Sequence, residues 1–140
     1  NNKVLHQSKL VNYFNGDYAK SQIEQDLEKY LKKIKKDKKY FFSKKDIIFL
    51  EALKSDGIQV SKKFDNLYEV KESEMPEDIQ SMIENDEIGA ALLRIIEVIG
   101  PERIENLDED TVYFIINTLN QLNADLIRNK LLLKVLPLKV

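Results

Sequence analysis

Few side chains of this 140-residue chain could do chemistry. His6 is its single histidine, and the chain holds no cysteine. A catalytic imidazole needs a nucleophile or carboxylate beside it, and a zinc ion needs three or four ligands. One histidine near a helix start therefore reads as a surface or packing residue. Carboxylates crowd residues 69–110, but Asp108, Glu109 and Asp110 fall in the first turn of an expected helix. Acids there cap free amides and favour the helix dipole. The acids do not spell the Asp-x-Asp-x-Asp-Gly loop of a calcium site, and no glycine-rich phosphate loop or Gly-x-Ser-x-Gly elbow is present. The expectation is a chain with no catalytic, cofactor-binding or metal-ligating residues, and hence not an enzyme.

Residues 29–45 offer a sharper chemistry. They hold nine Lys and one acid, with Tyr40, Phe41 and Phe42 together near the end. Basic charge interleaved with aromatics can hold single-stranded nucleic acid, by phosphate attraction and base stacking. The same segment would suit an anionic membrane surface or an acidic partner. The contacts in such a reading are Lys32, Lys35, Lys36, Lys38, Lys39, Tyr40 and Phe41. The plainer reading places Lys32, Lys33, Lys35 and Lys36 on the wet face of a helix and Phe42 in a hydrophobic staple. Lysine is also the residue that an AT-rich coding sequence adds most freely, and the Lys, Asn and Ile bias with only three Arg has that character.

The elements that would position these side chains are helices. An apolar fraction of 43% with 33% charged residues is that of a folded globular chain, and 140 residues suffice to bury a core. Four Gly and three Pro leave little material for turns. About seven helices are predicted. The first runs over residues 3–14 and stops at Gly16. The second covers 18–36, with Ile23, Leu27, Tyr30, Leu31 and Ile34 on one stripe. The third starts at Ser43 with Asp46 as capping-box partner and Phe42 and Ile47 as staple, and ends at Asp56 and Gly57. Residues 58–70 read as irregular, with at most a short strand at 67–70. A short helix opens at Pro76, and a fifth over 87–98 aligns Ile88, Leu92, Ile95, Ile96 and Ile99. There Gly89, Ala90 and Ala91 are small enough to admit a neighbouring helix. The sixth is capped by Asp108, buries Val112, Ile115, Ile116 and Leu119, and closes at Asn123. The seventh, 125–136, is apolar almost all round. A helix of that kind must be surrounded, so it is expected between earlier helices; otherwise its outer side meets another domain or a second copy.

The net charge of −2 conceals a polarity along the chain. Residues 29–63 hold twelve Lys against four acids, a balance of +8, whereas residues 69–110 hold fourteen acids against three bases, a balance of −11. The two segments could attract one another or address different partners. Between them, residues 65–75 break the helical pattern and are the candidate for an internal boundary in an otherwise single 1–140 domain. No apolar run approaches the ~18 residues that a membrane span needs. The opening Asn1-Asn2, without Met or an apolar leader, is expected of a mature product or of a module cut from something longer. Absence of cysteine fits any redox compartment, so localisation stays open between cytoplasm and export.

The segments IGAALLRIIEVIG, LDEDTVYFIINTLNQLN and ADLIRNKLLLKVL resemble the superhelical repeat families that include tetratricopeptide modules. The resemblance rests on the Gly89-Ala90-Ala91 cluster and the helix–turn–helix rhythm, and it covers the final third of the chain. The Trp, Gly, Tyr, Ala and Pro pattern that marks a tetratricopeptide repeat is absent. The C-terminal segment is also similar in rhythm to the ends of long helical proteins of alphaproteobacteria. Together these features predict an all-α domain of antiparallel helical hairpins, in a short superhelical stack or bundle. The expected function is protein–protein interaction or scaffolding, as the C-terminal module of a larger bacterial protein. The competing function is nucleic-acid binding through residues 29–45. A groove between helix pairs or the outer face of the seventh helix would receive the partner. Self-association is a further expectation, through the apolar set that begins at Leu126 and ends at Leu136.

Overall fold

Ser8 divides the first expected helix in two. Its hydroxyl donates to the Leu5 carbonyl at 2.7 Å and accepts from the Leu10 amide at 3.3 Å. Two 3₁₀ helices result, Leu5–Gln7 and Lys9–Asn15, in place of one α-helix. A serine that can bond its own neighbouring backbone competes with α-helical pairing in this way. Gly16 ends the second piece in the left-handed region, φ 86°, as the sequence indicates. These details come from a computed structural model, which describes residues 5–37, 39–67, 77–99 and 104–136, leaving aside the side chains at 65–67, 98, 99 and 105.

Among the described residues six α-helices follow: α1 Lys20–Lys36, α2 Lys44–Ser55, α3 Glu77–Glu84, α4 Ile88–Ile99, α5 Glu109–Gln121 and α6 Asp125–Val135. Short 3₁₀ helices, Lys62–Leu67 and Ile104–Asn106, fill two of the connections. The protein is all-helical, and no strand occurs among the described residues. Residues 68–70 of the expected short strand, Pro76 and most of the expected boundary at 65–75 lie outside the described residues.

Local chemistry accounts for most helix ends. The Ser43 hydroxyl accepts from the Asp46 amide at 3.2 Å and Asp46 accepts from the Ser43 amide at 3.1 Å, so the capping box of α2 is complete. The Asp108 carboxylate takes the Thr111 amide at 2.7 Å and starts α5. Asn123, at φ 55°, turns the chain out of α5. Periodicity accounts for the inner faces. Ile23, Leu27, Leu31 and Ile34 are buried along α1, and Val112, Ile115, Ile116 and Leu119 along α5.

The main packing is of the first hairpin on the third. α1 and α2 run antiparallel, since Lys20 at the start of α1 donates to the Asp56 carbonyl at the end of α2. α2 and α5 run side by side in the same sense, with Lys44 paired to Asp110 at their starts and Ile48 and Glu51 beside Ile116 and Asn117. α6 returns antiparallel along α5 and also covers the Lys9–Asn15 segment. α3 and α4 pack chiefly on one another, closed by Arg94 against Asp78 at 3.4 Å. They reach the common core through Ala91 and Ile95.

Three sequence expectations need correction. In α4 the buried positions are Ala91 and Ile95, while Ile88 and Ile96 face outward and Leu92 is half-buried; the side chain of Ile99 lies outside the described residues. The isoleucines crowd one half of the helix, but the contact area available to α4 covers only a narrow strip. Gly89 is also not a close-approach glycine, because a Cβ there would meet no atom within 4 Å. In α6, Leu132, Val135 and Leu136 are buried, but Leu126 and Ile127 are 82% and 49% exposed. The inward position of the first turns is taken by Arg128, which rotates its apolar neighbours towards solvent. The seventh helix is therefore covered on one side only.

Candidate interaction surfaces

Two polar networks lie inside the fold, and the first draws in His6 and Tyr40, which sequence reading treats as chemistry. In the first, Asp46 is fully buried and its carboxylate accepts from the His6 ring Nδ1 at 2.7 Å, the His6 amide at 3.0 Å, the Tyr40 hydroxyl at 2.8 Å and the Ser43 amide. Burial alone would raise the Asp46 carboxyl, but these donors outweigh it and hold the group below the ordinary carboxylate value. Tyr40 also accepts from the Leu5 amide at 3.1 Å. Burial first, and the Asp46 carboxylate against the opposing amide of Leu5, push the Tyr40 hydroxyl upward, so it remains a protonated donor. His6 is thus a packing residue, fastening the N-terminal segment to α2.

A histidine, a serine and an aspartate meet here, yet the geometry is not that of a nucleophile and its base. Asp46 Oδ1 and Ser43 Oγ, at 2.7 Å and 3.4 Å, both face the same ring nitrogen, Nδ1. A relay needs them on opposite nitrogens. The Ser43 oxygen is moreover occupied as the helix cap.

Arg128 is the second node, and sequence reading missed it. Its guanidinium is wholly buried and donates to Asp56 Oδ2 at 2.9 Å, Asn120 Oδ1 at 3.1 Å and Asn129 Oδ1 at 2.8 Å. The Phe14 ring lies 5.8 Å away. The Tyr13 hydroxyl gives Asp56 a further bond at 2.8 Å. Burial and then Asp56 raise that hydroxyl too. The signal was present: Arg128 shares a helical register with Leu132 and Val135, four and seven positions on. No buried side-chain polar atom among the described residues lacks a partner. Both networks are therefore satisfied from within the fold, and neither aims a free group at a ligand.

The predicted contacts of the Lys-rich segment are dispersed. Lys35 donates to the Lys63 carbonyl at 3.1 Å and Lys32 lies 4.0 Å from Glu28. Lys36 and Lys39 are exposed on the outer side. Lys38 lies outside the described residues. Tyr40 is drawn inward by Asp46, whereas Phe41 is 85% exposed. Among the described residues the most exposed ring of the segment is Phe41, with exposed Lys36 and Lys39 before it and half-buried Lys44 and Lys45 after it.

A cleft of about 350 Å³ lies between α1 and residues 59–64, floored by Leu27, Leu31, Val60 and Phe64. At its rim Glu24 accepts from the Gln59 amide at 2.7 Å and Glu28 faces Lys63 at 3.6 Å. No group of three or more potential metal ligands exists among the described residues, and none of their helices is long and apolar enough to cross a membrane.

The surface that differs most from a solvated helix face is on α4. Ile88, Leu93 and Ile96 are 46%, 58% and 63% exposed, with half-buried Leu92 between them. Eight residues of helix separate the ends, so the strip is about 12 Å long. Scattered exposed apolar residues are ordinary, but a row along one helix face is not. The chain was compared with protein-family models, curated proteins and solved structures, and none matches.

Proposed function

We propose that this protein is a non-enzymatic helical interaction module that docks a protein partner on the outer face of α4. The observation that carries the reading is the row of Ile88, Leu93 and Ile96 on one side of an otherwise well-formed helix. Burying a leucine or isoleucine fully is worth about 1.5–3 kcal/mol, so a partner covering this row gains several kcal/mol in all. Leu126 and Ile127 on α6 are a second exposed apolar pair. The two buried polar networks support the same reading, because they hold the scaffold in one arrangement and leave the outer faces to do the binding.

Site-specific photo-crosslinking tests this directly. A photoreactive residue at position 93 or 96 should yield protein adducts in the cells that make the chain, and one at position 39 should not. Absence of adducts on α4 would sink the reading. The competing function, nucleic-acid binding, is favoured by exposed Phe41 with exposed Lys36 and Lys39 before it in the chain. It requires oligonucleotide binding that falls steeply between roughly 50 and 200 mM salt.

A further inference from the structure

The α4 row lies in the most acidic part of the described surface. Between residues 77 and 99, Glu77, Asp78, Glu84, Asp86, Glu87 and Glu97 are all exposed, and Arg94 is the one base. Arg94 is itself held by Asp78 at 3.4 Å and Glu97 at 3.3 Å, so its charge is already matched. Asp86 and Glu87 stand just before the first turn of α4, and Glu97 directly follows Ile96. An apolar strip about two turns long thus has unmatched negative charge at its N-terminal end, from Asp86 and Glu87, and on the helix packed beside it, from Glu77 and Glu84, while Arg94 carries only one charge against both Asp78 and Glu97. Resting on the interaction reading above, we propose that this face binds a basic amphipathic helix of a partner protein. Such a helix would lay its apolar residues on Ile88, Leu93 and Ile96 while its Lys and Arg meet the acidic surround.

Three features select this occupant. The strip runs along one helix and is long enough for anchors at positions i, i+4 and i+7 of a docking helix, the spacing of helix recognition. The surrounding charge is net negative, six acids against Arg94, so it attracts a basic segment and repels an acidic one with the same apolar face. The chain's own basic helix does not satisfy it: the apolar stripe of α1 is buried in the core, and α1 packs on the Lys9–Asn15 and Lys62–Leu67 segments.

Two fluorescein-labelled synthetic peptides of eighteen residues serve as probes. One is a helix with Leu on one face and Lys on the other; the second has Glu for every Lys. The intact 140-residue chain should bind the Lys peptide at least about ten-fold more tightly than the Glu peptide at roughly 50 mM salt, with the advantage shrinking at higher salt as screening sets in. Leu93→Asp with Ile96→Asp should weaken the Lys peptide by about ten-fold or more through lost apolar contact. Those substitutions add negative charge, so mere attraction of a cationic peptide to an acidic protein would strengthen instead. Both positions are exposed, and an unchanged circular dichroism spectrum and Tm would confirm the fold.

Equal affinity for the two peptides would overturn the basic partner and leave the interaction reading standing. Undiminished binding to the Asp variant would place the peptide elsewhere and overturn the site. Failure of both peptides to bind would overturn the proposal, while crosslinks from positions 93 and 96 would still decide the interaction reading. A dimer on light scattering that the Asp substitutions dissolve would assign the face to a second copy and overturn it as well.

Discussion

At the scale of single residues, the decisive groups are charges placed where water is absent. Wholly buried Arg128 pairs with Asp56, whose side chain is 12% exposed, and most of the pair's capacity is filled by Asn120, Asn129 and Tyr13. Removing one member of such a pair strands the other, at about 3–5 kcal/mol. Asp56→Ala should lower stability by that amount in urea unfolding, and Arg128→Met in the same background should recover part of it. Asp46 makes a second prediction, with the sign set by its depressed carboxyl. Between the folded and unfolded values the unfolded chain binds the proton and the native chain does not. The stabilisation is complete above the ordinary carboxylate value of 3.8 and is lost as pH falls through the lower folded value. Urea midpoints of the native chain should therefore decline below about pH 4, and Asp46→Asn should be less stable at neutral pH with a shallower acid decline. The capping role of Asp46 was legible in the spacing Ser43-x-x-Asp46. Its burial and its bond to His6, forty residues away, were not, because periodicity and caps report only local chemistry.

At the scale of elements, the α2–α5 contact is the spine of the fold and the α3–α4 hairpin is its least anchored part. Leu50→Ala or Ile115→Ala, both at fully buried positions, should cost about 2–5 kcal/mol. Leu93→Ala should change stability by no more than about 0.5 kcal/mol, since that side chain stands mostly in solvent. Amide hydrogen exchange should show α3 and α4 opening before α2 and α5, as elements with fewer buried contacts do. Equal protection across all four helices would contradict this. Helix positions were readable from Ser43, Asp108, Gly57 and Asn123, whose side chains or backbone freedom mark ends without reference to the rest of the fold. The first segment departed from its expected form because Ser8 offers its hydroxyl to the backbone inside the run.

At the scale of the molecule, the basic and acidic segments of the sequence meet where Lys44 pairs with Asp110. If a protein partner and not nucleic acid is the target, changing Lys35, Lys36, Lys38 and Lys39 to Glu should leave partner capture by α4 intact. Fluorescence anisotropy of the native chain with generic oligonucleotides should then show no salt-sensitive binding for those changes to abolish. The all-α class, the capped starts of α2 and α5 and the buried stripes of α1 and α5 were determined by the sequence alone, since composition, capping residues and a 3.6-residue period are properties of a chain segment. Which faces stay uncovered was not. An isoleucine carries the same hydrophobicity at 95 and at 96, yet one is buried and the other exposed. Only the order in which the hairpins pack, first on third with α3–α4 joining the core along a narrow strip, allots the limited contact area and leaves the α4 row facing water.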